Sequence, residues 1–231
     1  MDESLRTSQQ VGGYAVPSVE QRNRVLRNTY WLLALSMVPT VLGAWLGVST
    51  GIVAAMGVGM SFIVFMVGAF GFIFAIEKTK NSAAGVPVLL GFTFFMGLML
   101  SRLIGHILGF ANGTALIMIA FAGTGGVFLG MAALSSVIKR DLSTMGKFLY
   151  IGAIMLLVGI VLNIFLKSSA LFVTIAVLMV GIFSAFILYD LKRVRDGQET
   201  NYISATLSVY LDLYNVFQAL LSLLGFAGSR D

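Results

Sequence analysis

The chain has 231 residues, of which 58% are apolar and 11% charged, and its mean hydropathy is +0.95. A soluble domain carries roughly a quarter charged residues, so there is too little polar surface here to cover a water-soluble core, and the composition is that of an integral membrane protein. One histidine and no cysteine exclude multi-histidine metal centres, disulfides, thiolate zinc sites and thiol nucleophiles, while the net charge of +5 has to be located before nucleic acid is considered.

Residues 1–29 are polar and include Arg6, Glu20, Arg22, Arg24 and Arg27. No short apolar stretch opens them, as a signal peptide would require, and they read as a flexible cytoplasmic tail. A spanning helix needs about 20 mostly apolar residues. Seven such stretches follow, at 30–48, 52–76, 87–108, 115–138, 148–166, 170–191 and 203–226, with a short C-terminal tail over 227–231. The connections are too short for a soluble domain. The expected fold is therefore all-α, with seven transmembrane helices over residues 30–226.

Twelve of the 15 Lys and Arg residues fall on the tail and on the second, fourth and sixth connections. Cytoplasmic segments accumulate these residues, so the N-terminus is expected inside, the C-terminus outside, and the chain in a cell (inner) membrane. The positive charge is an orientation signal and does not point to nucleic acid. Gly43 and Gly47, Gly105 and Gly109, and Gly126 and Gly130 have the small-xxx-small spacing that lets membrane helices approach closely.

Ionisable groups inside a bilayer cost at least ~2.5–3.5 kcal/mol on insertion scales, so Asp190 in the sixth span and Asp212 in the seventh need a reason. If the last two spans form a hairpin turning near Asn201, each aspartate lies 11 residues from the turn, roughly 15 Å deep at 1.5 Å per residue. The seventh span also carries Ser204, Ser208, Asp212, Asn215, Gln218 and Ser222, which fall on one face about 120° wide. Such a stripe is either interhelical hydrogen-bonding surface or the lining of a wet cavity. Two close carboxylates cannot both ionise cheaply, so they share a proton. Ionised, they repel and offer oxygens of the kind calcium prefers. Asp190 has an alternative: an interfacial salt bridge to Lys192 or Arg193.

Weaker candidates lie elsewhere. Arg102 and His106 sit towards the external end of the third span and are expected to snorkel outward. Glu77 and Lys78 close the second span and can neutralise each other, or Lys78 can engage Asp190. There is no Walker loop, no G-x-S-x-G and no intramembrane metal set, so no enzyme constellation and no resident cofactor are expected.

The stretch Lys139-Arg140-Asp141-Leu142-Ser143-Thr144-Met145-Gly146, followed by Asn163-Ile164-Phe165-Leu166, resembles the K-R-D-L-S-x-M-G…N-I-F-L pattern of the Bax inhibitor-1 family of transmembrane proteins. Leu188-Tyr189-Asp190 resembles that family's sixth-helix motif. Tyr210-Leu211-Asp212-Leu213-Tyr214-Asn215, with Leu223-Leu224-Gly225, resembles its seventh-helix motif. Glu199-Thr200-Asn201-Tyr202-Ile203 is most similar to the bacterial branch that includes a modulator of the membrane protease FtsH. The resemblance implies six helices around a central seventh. It also implies a proton-sensitive calcium leak controlled by a carboxylate pair, here Asp190 and Asp212 by motif position. Arg102 departs from the pattern, where a small residue or proline is expected, and its charge near the outer mouth opposes cation approach. Two functions follow: a passive calcium leak, or an interaction protein that restrains a membrane protease complex through the N-terminal tail. Oligomeric state is not legible.

Overall fold

The computed structural model describes residues 18–228. Among them are seven helices long and apolar enough to cross a membrane: α1 (Val19–Thr50), α2 (Gly57–Thr79), α3 (Gly85–Leu108), α4 (Gly113–Val137), α5 (Ser143–Leu166), α6 (Ser169–Arg195) and α7 (Tyr202–Gly228). A four-residue helical turn, Ile52–Ala55, lies between α1 and α2.

Six helix starts lie within about five residues of their hydropathy-based positions, but α1 starts 11 residues early. Residues 19–29, expected in a flexible tail, are helical; residues 1–17 of that tail lie outside the described part. The cause is a capping box. The Ser18 side chain accepts from Gln21 N at 3.1 Å, satisfying a donor that the first turn cannot pair internally. Ser18-Val19-Glu20-Gln21 is the signal in the sequence, hidden from a hydropathy walk by the arginines that follow.

The seventh helix is the axis. No residue from Tyr202 to Phe226 is exposed, and α7 touches α1, α2, α3, α4 and α6. Among the described helices, the sixth outer one, α5, packs on α6 alone, so it stands one layer further out. The main core gathers Leu32 and Leu33, Ile76, Leu89, Phe92 and Met96, Ile187 and Leu191 around Val209, Tyr210, Leu213 and Val216 of α7. The outer faces of α2 and α5 remain apolar and exposed, for example Phe62, Phe70, Ile151 and Phe165. In water such faces would be a liability; in hydrocarbon they are the solvent-facing surface.

α1 and α3 form the closest pair. A Cβ placed on Gly43 would overlap the Phe94 carbonyl, one on Gly97 the Thr40 carbonyl, and one on Gly47 the Ser101 side chain. Here the backbones meet, as small residues permit in lipid, where dispersion and close packing replace the hydrophobic driving force. The expectation for the other spaced glycines fails. Gly105, Gly126 and Gly130 face open space, and a Cβ on Gly109 would meet only the carbonyl of His106 on its own helix. Spacing marks a face without saying which face is covered.

Candidate functional site

α6 and α7 form an antiparallel hairpin whose turn is stitched by Asn201. Its side-chain oxygen accepts from Ile203 N at 2.9 Å and Ser204 N at 3.1 Å, capping α7. Its amide donates to the Lys80 carbonyl at 3.0 Å and to Asn81 Oδ1 at 2.8 Å in the α2–α3 connection. The Glu199 carboxylate accepts from Asn201 N at 2.8 Å. The two helices therefore leave the turn in a defined register.

That register places Asp190 and Asp212 opposite each other. Both are buried, and their carboxyl groups are close enough across the α6–α7 seam to interact. Oδ2 of Asp212 is buried and receives no N–H or O–H among the described residues. A lone carboxylate there is costly. A proton held between the two carboxyls removes that cost, because one oxygen becomes a donor. Asp190 has a second neighbour, Arg193 Nη1, 3.6 Å from its Oδ1. This contact is longer than a charge-assisted hydrogen bond of about 2.7–2.9 Å, and the guanidinium also lies over the Tyr189 ring at 5.7 Å. The pairing between aspartates and the salt bridge, alternatives in the sequence, coexist at Asp190.

Lys192 does not join them. It turns away, two residues on, and binds both oxygens of Asp196 at 2.7 Å. Lys78 does not reach Asp190 either; it lies over the Phe74 ring at 4.9 Å. Glu77 pairs with Lys80 and not with Lys78, since three residues along a helix share a face and adjacent ones do not. Arg102 and His106 are exposed on α3, His106 edge-on to Phe110 at 5.2 Å. Asn215 spends its amide on the Leu211 carbonyl of its own helix at 2.8 Å. No group of three or more His, Cys, Asp or Glu side chains able to hold a metal ion occurs among the described residues.

Sequence reasoning missed the tyrosines that fix α7. Tyr210 OH lies 2.9 Å from Thr40 Oγ1 of α1 and donates to the Thr93 carbonyl of α3 at 3.3 Å. Tyr214 OH donates to the Met96 carbonyl at 3.4 Å. Buried tyrosines seek partners for their hydroxyls, so two of them flanking Asp212 were a usable signal. Asn163 of the N-I-F-L motif serves the fold, because its side chain accepts from Ser168 N at 3.0 Å and closes α5.

A protein-family profile described as "Inhibitor of apoptosis-promoting Bax1" matches residues 22–229. An uncharacterized membrane protein of Vibrio cholerae is 38% identical over 215 residues, 91% of this chain and 93% of the relative. The Escherichia coli K12 protein named "Modulator of FtsH protease YccA" is 37% identical over 214 residues, 93% and 94% of the two chains. A Pseudomonas aeruginosa protein, PA2604, is 35% identical over 217 residues, 94% and 96%. The chain is a multi-pass membrane protein and belongs to the Bax inhibitor family.

Proposed function

We propose that this member of the Bax inhibitor family is a passive cation leak of the inner membrane, passing calcium when the proton shared by Asp190 and Asp212 is lost. The observation that carries this is the buried Asp212 oxygen that accepts no hydrogen bond among the described residues, facing a second carboxyl from the neighbouring helix. With the proton present, the pair bonds α6 to α7. Without it, two like charges face each other where the dielectric is low, and they repel. The seam loosens and the freed oxygens suit a hard cation. Two carboxylates are too few for a calcium storage site of six to eight oxygens, which favours passage over retention. The density of Lys and Arg at the hairpin turn and along α1's start supports a pair in the cytoplasmic half, with the N-terminus inside and the C-terminus outside. No residue is assigned a catalytic role.

Calcium flux into liposomes containing only this protein, measured across a pH series, tests the reading. Flux should rise with pH in the parent. Asp190→Asn or Asp212→Asn should flatten that rise, because the remaining carboxyl has no like-charged partner. Flux that ignores both substitutions rejects the shared proton.

A second function is favoured by the YccA relative: restraint of an FtsH-type membrane protease. Deleting residues 1–17, which leaves the Ser18 cap of α1 intact, should remove the effect on protease substrates in cells while liposome flux persists. An unchanged effect on the protease would show that the tail is not the handle.

A further inference from the structure

The last carbonyls of a helix have no intrahelical donor, and at the end of α6 they are satisfied in two ways. The Lys192 carbonyl accepts from Asp196 N at 2.8 Å, that of Val194 from Gly197 N at 3.1 Å, and that of Arg193 from Gln198 N and Glu199 N at 2.9 and 3.2 Å. These bonds are local to the turn. The Arg195 carbonyl takes its donor from a different helix: Nη1 of Arg22, in the early part of α1, at 3.3 Å. The Arg22 Nε is buried and makes no hydrogen bond among the described residues, so Nη1 carries the guanidinium's hydrogen bond to the hairpin. A cation at this end of α6 also meets the negative end of the helix dipole.

The contact does not stand alone. Three residues on, Val25 is buried against Val194 of α6 and Ala205 of α7. One further turn on, Thr206 Oγ1 of α7, which donates to the Tyr202 carbonyl of its own helix at 2.7 Å, also lies 3.4 Å from the Thr29 carbonyl. The start of α1 therefore grips both arms of the hairpin. Asp190 lies five residues before Arg195, about 7.5 Å along α6, and Asp212 six residues after Thr206, about 9 Å along α7.

We propose that Arg22 is a positioning residue for the Asp190–Asp212 pair: by capping α6 from α1 it sets the spacing between α6 and α7 at which the two carboxyls share a proton. This rests on the pair's being the proton-sensitive element of the leak. Other charged or titratable groups facing the pair are Arg193 and Glu199 from the hairpin and Tyr150 from α5. On the Arg22 side, Arg195 stands beside Tyr30 of α1. Arg22→Gln leaves all of these in place and removes the cap together with one positive charge, and Arg24→Gln removes a neighbouring charge without the cap.

The test uses the full chain in liposomes of phosphatidylethanolamine and phosphatidylglycerol, with calcium flux followed against pH. Arg22→Gln should move the midpoint of the flux profile down by about half a pH unit, the size of one modest hydrogen bond. Loosened carboxyls repel less and lose their proton sooner. Arg22→Lys, which keeps a charged donor, should recover most of the shift, and Arg24→Gln, at an exposed neighbour, should cause none. A second readout does not need flux. The chain has no cysteine, so Asn23→Cys with Gln198→Cys, both exposed, carries one spin label on α1 and one on the hairpin turn. Coupling is reciprocal: the label distance should depend on pH in the parent, lose that dependence with Asp212→Asn, and broaden with Arg22→Gln. An Arg22→Gln protein with the parent's midpoint and the parent's distances overturns the proposal. A parent that passes no calcium at any pH overturns the leak itself, and the label distances then decide the coupling on their own.

Discussion

The α1–α3 pair and the α6–α7 pair are both helix seams in one bundle, built by opposite means. The first is closed by absent side chains: Gly43, Gly47 and Gly97 let main chain meet main chain. The second is closed by side chains that dislike lipid: two buried aspartates, one arginine and a turn held by the hydrogen bonds of Asn201. A glycine seam has one arrangement, because nothing in it titrates and nothing can slide without overlap. On the function proposed above, the carboxyl seam has two, separated by one proton. The bundle thus has a fixed wall and a responsive one, and α7 belongs to both, tied to the wall by Tyr210 and to the responsive seam by Asp212.

The largest effect expected is on the fixed wall. Gly97→Ala puts a methyl group into the Thr40 carbonyl and should cost about 3 kcal/mol, the upper end for overpacking. Gly105→Ala, facing open space, should stay within ~0.5 kcal/mol. Unfolding from mixed detergent micelles measures both, and equal losses would erase the contrast between the two glycine sets. Next comes the responsive seam, where Asp190→Asn and Asp212→Asn should leave that unfolding curve nearly unmoved and yet flatten the pH response of flux. The double substitution should add little, since groups that act as one unit are not additive. Independent, additive effects on the pH profile would separate the two carboxyls.

A smaller effect belongs to the tie between the walls. Tyr210→Phe removes the contacts to Thr40 and Thr93 and should cost about 0.6–1.7 kcal/mol, as interhelical hydrogen bonds do in membranes. Tyr214→Phe, with its longer bond, should fall at the lower end. The smallest lies outside the membrane. Asp141 caps the start of α5, accepting from Ser143 N and Ser143 Oγ at 2.9 Å, and these bonds hold its carboxyl below the usual range. A folded-state pKa below the unfolded one means stability that is present above about pH 4 and is lost as pH falls through the folded value. The gap in melting temperature between the parent and Asp141→Asn should therefore close in acid. A gap that widens in acid would reverse the sign.

The spans were legible because lipid demands long apolar runs, and the aspartates because they are the acidic residues within those runs, where Arg102 is the one basic counterpart. Equal distance from Asn201 was enough to place Asp190 and Asp212 at one depth, since rise per residue is fixed whatever surrounds the helix. Facing was not legible. The same spacing argument that suits Gly43 and Gly47 also selects Gly126 and Gly130, and only the neighbour decides between them. The partners of Lys78 and Lys192 were missed for a related reason: long side chains reach several carboxylates or rings equally well on paper. The early start of α1 was hidden because its first three turns lie against the hairpin ends of α6 and α7, so their polarity resembles that of a tail.

The position of α5 bears on how the protein sits in bilayers of different thickness. α5 leans on α6 alone, whereas α1 and α3 are locked at their glycines and cannot tilt against each other. A thicker or thinner hydrocarbon layer asks helices to tilt, and the helix free to comply is α5, whose only neighbour is the one carrying Asp190. Lipid chain length thereby bears on the same seam that the proposed function assigns to protons. A membrane of longer acyl chains becomes a second input to the α6–α7 gap, delivered from the outside of the bundle instead of from its axis.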